Sequence, residues 1–273
     1  MRKWAILIAI VVGCYGFAEQ PSDPLAEGIA LLQKGDFQHS VVVLRRAVEL
    51  KPSSAPAHNY YGFALARTGS LNPAIQQFQK ALTLDPHYPD ALYNLGTALN
   101  VKEQYPAAIA ELQAALEARP NFPEAQFELA NALAAQGDVG AAMEALEKAI
   151  RLRPDMYAAR TQLAMLDSHV GDTQGAVDEL RQVVALRPDS TEAHNDLGVA
   201  LDQAGDLPGA IAEFQQALAK DPKFVPGLLN LAQAMRDKGD LPAAAENYRK
   251  ALVYKPDSAE AHADLAFTLK RMD

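Results

Sequence analysis

The sequence predicts an all-α solenoid built from antiparallel helical hairpins, and three observations carry that prediction. Seven prolines, Pro52, Pro86, Pro120, Pro154, Pro188, Pro222 and Pro256, stand 34 residues apart with no insertion between them. Large and small apolar residues recur at fixed places inside that period. A turn signal falls near its middle, clearest at Gly137-Asp138, Gly171-Asp172, Gly205-Asp206 and Gly239-Asp240. A constant period of this length marks an array in which each unit packs on its neighbours, so a chain of 273 residues need not bury one large core.

The chain opens Met1-Arg2-Lys3 and then runs from Trp4 to Val12 with no charged residue. A basic start followed by a short apolar stretch reads as a secretory signal, because a stretch ending by Ala18 falls short of the roughly 20 residues that span a bilayer. Two cleavage patterns compete. Gly16-Phe17-Ala18 presents small residues to signal peptidase, making 1–18 the signal and Glu19 the mature start. Val11-Val12-Gly13-Cys14 resembles a bacterial lipobox, which implies a signal of 1–13 and a lipidated Cys14. Cys14 is the single cysteine, so no disulfide is expected. The expected location is outside the cytoplasm, periplasmic or secreted, or membrane-anchored through Cys14.

Residues 19–273 read as one repeat domain. With the proline at position 32 of each unit, repeats begin at Pro21, Ala55, Pro89, Pro123, Tyr157, Thr191 and Val225, and a capping helix fills 259–273. The first repeat is the least regular, yet Asp23 can cap, Pro24 suits the first helical turn, and Leu25, Ile29 and Leu32 share one face. Position 7 is Tyr61 and then Leu in every later unit, position 8 is only Gly or Ala, and position 20 is Ala from Ala74 to Ala244. Position 24 is large, as in Leu44, Phe78 and Tyr248. Small residues facing large ones let two helices approach closely. The mid-period Gly ends one helix in the left-handed conformation and the Asp after it starts the next. Proline, lacking an amide proton, stops the second helix. In the last element Leu265, Ala266 and Leu269 are expected to face inward, with Asp264, Lys270 and Arg271 toward water.

This pattern of large, Leu-Gly, Ala, large and Pro over 34 residues resembles the tetratricopeptide repeat across about residues 21–273. The resemblance implies a right-handed superhelix whose first helices line a concave groove for proteins or peptides. Position 6 lies in that implied groove and reads Asn94, Glu128, Gln162, Asp196, Asn230 and Asp264, similar to the asparagine ladder of O-linked N-acetylglucosamine transferases, though three rungs are acids. Beside it, Tyr60, Phe63, Tyr93 and Phe127 at positions 5, 6 and 9, with Asn131, form an expected peptide-binding patch. Chaperone-tail adaptors of the family place a Lys at position 5 of a first repeat, and this column holds none.

No phosphate loop, nucleophile elbow or zinc helix occurs, so no catalytic residue, metal or cofactor is assigned. His58, His194 and His262 share position 4, which spreads them along the array as packing residues instead of gathering them around a metal. The full chain carries 25 basic against 34 acidic residues, an acidity that disfavours nucleic acid and favours a basic, apolar peptide. Two alternatives to an envelope scaffold remain: a lipid-anchored assembly factor for pili, exopolysaccharide export or outer-membrane proteins, and the repeat half of a split glycosyltransferase-like enzyme. Intact-mass measurement on protein purified from its native host should find a chain starting at Glu19 or at a lipidated Cys14. A product that keeps residues 1–18 would defeat both.

Overall fold

The computed structural model describes residues 23–272, which leaves the signal segment and Cys14 outside the described residues. Among the described residues the regular structure is fifteen helices and no strand. They alternate as A and B helices of hairpins: α1 (Pro24–Gln33) with α2 (Phe37–Leu50), α3 (Ala55–Arg67) with α4 (Leu71–Leu84), α5 (Pro89–Val101) with α6 (Tyr105–Ala118), and α7 (Pro123–Gln136) with α8 (Val139–Leu152). Next come α9 (Tyr157–Val170) with α10 (Thr173–Leu186), α11 (Thr191–Gln203) with α12 (Leu207–Lys220), α13 (Val225–Lys238) with α14 (Leu241–Tyr254), and the single helix α15 (Ala259–Lys270). The described residues form two compact units, divided within α5 between Asn94 and Leu95. Inside each unit packing joins helices adjacent in sequence, and α1 also touches α3, as α11 touches α13.

Local chemistry sets the helix ends. Asp36, Asp138, Asp172, Asp206 and Asp240 each cap a B helix by accepting the backbone N–H three residues on. Ser54, Ser190 and Ser258 do the same for A helices α3, α11 and α15. At the far end of each B helix the residue before the proline is extended, as at Arg119 (φ −139°, ψ 90°), because the proline ring excludes the helical conformation there.

The core of each hairpin is the small-against-large contact that the columns imply. Ala74, Ala108, Ala142, Ala176, Ala210 and Ala244 have no exposed surface, and Phe78, Leu112, Leu146 and Phe214 close over position 8 of the facing helix. A Cβ on Gly62 would lie 2.7 Å from the Phe78 ring and one on Gly198 2.5 Å from the Phe214 ring. Both phenylalanines of this column thus stand over a glycine, while Leu146 and Leu180 stand over Ala130 and Ala164.

In four repeats position 4 pins the A helix to the turn before it. His58 Nε2 donates to the Pro52 carbonyl (2.9 Å), His194 Nε2 to Pro188 (3.0 Å), His262 Nε2 to Pro256 (2.9 Å) and Arg160 Nε to Pro154 (3.0 Å). Three of the four also reach position 23 of their own B helix: His58 Nδ1 meets Gln77, His194 Nδ1 meets Glu213, and Arg160 Nη1 donates to Glu179 (2.6 Å). These side chains satisfy a carbonyl that the proline leaves without a helical partner.

One turn breaks the pattern. Position 15 is a left-handed glycine in Gly35, Gly69, Gly137, Gly171, Gly205 and Gly239, but the third repeat places Glu103 there at φ 58°. A side chain in this region costs about 1–2 kcal/mol. Glu103→Gly should therefore raise stability by about 0.5–1 kcal/mol, the gain reduced by the greater freedom of glycine in the unfolded chain. Denaturant unfolding with an unchanged m-value checks this; a destabilised variant would mean that the Glu103 side chain makes contacts outweighing its backbone strain.

Candidate functional site

The A helices carry every residue that the sequence marks for binding. In the first unit Tyr60 and Phe63 lie on α3, and Tyr93 and Asn94 on α5. In the second, Phe127, Glu128 and Asn131 lie on α7, Gln162 on α9, Asp196 on α11, Asn230 on α13 and Asp264 on α15. Tyr60, Phe63, Tyr93 and Phe127 are half-buried. The Arg67 guanidinium lies 4.3 Å from the Phe37 ring centre and 5.9 Å from that of Phe63, and Phe127 packs on the cluster around Ala130 and Leu146. Packing within the repeats, as much as water, meets these aromatic faces.

Most rungs of position 6 are joined to an adjacent repeat. Asn94 Nδ2 donates to Asn59 Oδ1 and Asn230 Nδ2 to Asn195 Oδ1, both at 2.9 Å, so the same position 6 to position 5 bond appears once in each unit. Asn100 Nδ2 donates to the Glu128 backbone carbonyl (2.9 Å) and to its carboxylate (3.3 Å). Arg236 Nη1 donates to Asp264 (2.8 Å) and its guanidinium also faces the Phe267 ring, 5.6 Å from the centre. Asn59 and Asn195 are buried, at 2% and 8% exposure, which makes these bonds part of the inter-repeat seam.

Asp196 differs. No basic side chain pairs with it among the described residues, and burial pushes its carboxyl above the ordinary range, only partly offset by the neighbouring Asn195 amide, with the Glu192 charge adding to the rise. It lines an open pocket of about 310 Å³ between α9 and α11, whose apolar wall is Met165, Leu180, Val199 and Ala200. Thr161, Ser168 and Gln203 supply the polar rim. Met165 is 65% exposed, an apolar side chain left facing water on the A-helix face. Reading position 9 down the repeats, from Phe63 and Thr97 to Met165, Val199 and Phe267, would have flagged it. Asp202, six residues further along α11, is also raised by burial and by Asp237. A larger hollow of about 980 Å³ on α1 and α2 mixes Arg45, Arg46 and Lys51 with Asp23, Glu27 and Glu49, so its charges balance and select no ligand charge.

A second acid lies under the same repeat. Position 11 is Leu in six units and Met235 in another, but Asp167 in the fifth, 6% exposed, where burial and the charges of Asp172, Glu179 and Glu147 push its carboxyl up to about 6. Among the described residues no group of three His, Cys, Asp or Glu side chains is placed to hold a metal ion, and no helix is long and apolar enough to cross a membrane.

These features define a helical-hairpin repeat protein with a polar, predominantly acidic A-helix face and a side-chain-sized pocket between α9 and α11. Tetratricopeptide-repeat profiles match residues 93–157 and 162–223, and 66–102 and 232–273. The chain belongs to the tetratricopeptide repeat family, whose members are protein-interaction scaffolds that bind proteins or peptides. Among solved structures, the C-terminal part of a TPR repeat-containing protein from Cytophaga hutchinsonii is 15% identical with a TM-score of 0.72 over 88% of this chain and 99% of that one. YrrB, described as a TPR protein with an unusual peptide-binding site, is 23% identical with a TM-score of 0.58 over 68% of this chain and 95% of that one. MamA from Desulfovibrio magneticus RS-1 is 24% identical with a TM-score of 0.58 over 63% of this chain and 97% of that one. These likenesses show the fold. No curated protein sequence matches the chain significantly.

Asp167 gives a pH-dependent prediction. Because its folded pKa lies above the unfolded value of 3.8, the folded protein binds the proton more tightly between about pH 4 and 6. The destabilisation is then complete above about pH 6 and fades as pH falls toward 4. Asp167→Leu, which restores the column, should stabilise the protein by roughly 1–3 kcal/mol at pH 7.5 and by less at pH 4.5. Thermal unfolding across that range checks it; a gain independent of pH would assign the effect to packing alone.

Proposed function

We propose that this chain is an exported, non-catalytic scaffold of the bacterial cell envelope that holds a basic, apolar segment of a partner protein against its A-helix face. The observation that carries the reading is the acidity of α11, where Glu192, Asp196 and Asp202 stand on a helix with no Lys or Arg and the carboxyls of Asp196 and Asp202 are held above their ordinary range. Cations are drawn to such a face, and an exposed Met165 beside it offers an apolar contact that adapts to its partner. The peptide site in the name of the YrrB structure supports a peptide ligand here. The run from Met1-Arg2-Lys3 to Val12 supports export, and Cys14 after Val11-Val12-Gly13 favours a second form of the same reading, a lipid-anchored assembly factor.

Crosslinking and pull-down from envelope fractions of the native host, repeated over a salt series, tests this. The expected result is a partner whose captured segment is rich in Lys or Arg and whose affinity falls severalfold between low and physiological salt. The protein should fractionate with the envelope, and Cys14→Ser should release it from membranes if it is lipid-anchored. A partner captured equally at all salt concentrations, crosslinked through B helices, would overturn the proposal.

A further inference from the structure

The pocket between α9 and α11 combines four properties that select one kind of occupant. The first is a carboxylate with an amide beside it but no cation. Asn94, Glu128, Asn230 and Asp264 are each bonded to a neighbouring repeat, whereas Asp196 is joined to no cation. The second is solvation: Asp196 is half-buried, so part of its hydration is lost with no opposite charge to replace it. The third is the wall, where the Met165 thioether and Val199 flank the carboxylate with apolar surface. Size is the fourth, since about 310 Å³ lies at the small end of ligand sites and admits one side chain, not a folded ligand.

We propose that this pocket binds one cationic side chain, Lys or Arg, of an extended peptide, its aliphatic stem against Met165 and Val199 and its charged end on Asp196. The assignment rests on the reading that a peptide lies on the A-helix face and names the residue type that face selects. Lys and Arg are the side chains that join an apolar stem to a cation, which is what an apolar wall ending in a carboxylate matches. Glu192 adds attraction from the same helix, and the oxygens of Thr161, Ser168 and Gln203 can accept the remaining N–H groups of an ammonium or guanidinium. An acidic side chain would meet repulsion from Asp196 and Glu192. A neutral aliphatic one would cover Asp196 without pairing it, leaving a desolvated charge.

The test uses the mature chain with ¹³C-methyl methionine, so that Met165 reports from the pocket wall, its signal assigned with Met165→Leu. The probes are blocked nonapeptides Gly-Ser-Gly-Leu-Xaa-Leu-Gly-Ser-Gly with Xaa as Lys, Arg, norleucine or Glu. The expected result is a shift of the Met165 methyl with the Lys and Arg peptides and an affinity at least about tenfold above that of the norleucine peptide at low salt. Asp196→Asn, which keeps the shape and removes the desolvated charge, should fold as the parent does by circular dichroism and lose that discrimination. Equal affinity for Lys and norleucine, or discrimination that survives in Asp196→Asn, overturns the pocket assignment. Should the peptides instead bind elsewhere on the A helices with Met165 unmoved, the assignment falls and the A-helix reading stands. Absence of binding by all four peptides on any A helix removes both.

Discussion

The close approach of the two helices in each hairpin is the constraint on which the other features depend. It requires a small residue at position 8, another at position 20 and a large one at position 24, and the chain supplies this set in every full repeat, with Ser40 in place of alanine in the first. The glycines under Phe78 and Phe214 show how little slack there is, because a single added carbon would lie inside van der Waals contact with the ring. Once the hairpin closes at this distance, the polar edge of the A helix is fixed. A His or Arg at position 4 then reaches the preceding proline carbonyl, and Asn94 and Asn230 at position 6 reach position 5 one repeat earlier. The histidines and asparagines are inter-repeat fasteners because the apolar contact puts them there.

Against that regular background, departures gather in the fifth and sixth repeats. Asp167 replaces a leucine in the core column, Met165 exposes a thioether at position 9, and Asp196 is an acid where two other repeats hold a bonded asparagine. Each carries a local cost, a buried charge or an apolar group in water, and none has a compensating partner that makes it a better packing element. Local rules broken together in one place are the mark of a site, since stability alone selects the consensus residue at each position. By contrast the aromatics of α3, α5 and α7 are half-covered within their repeats or by Arg67, which places them partly in service of packing.

Electrostatics separates the two buried acids. Asp167 is almost wholly covered in the repeat and feels the like charges of Asp172, Glu179 and Glu147. Asp196 stands at the mouth of an open pocket, where a cation can approach and relieve the same kind of desolvation. One is a load on stability and the other a means of recognition, although both arise from the same physical cause.

The amino-acid sequence by itself determined the period, the helix pairs, their ends and the packing columns. All of these are local or strictly repeated: Pro52 stops a helix whatever surrounds it, Gly137 turns left-handed by its own freedom, and Asp138 caps the amide of Ala141. What the tertiary structure decided is which polar residues are occupied. Asn94 meets Asn59 and Asn230 meets Asn195 across 35 residues, while Asp196 in the same column meets no cation. A column of letters cannot make that distinction, because exposure and partnership depend on how neighbouring helices cross, and the crossing follows from side-chain volumes summed over two repeats, not from any single position. For that reason the ladder was legible as a polar stripe, and the pocket at Met165 and Asp196 emerged only from the packed helices.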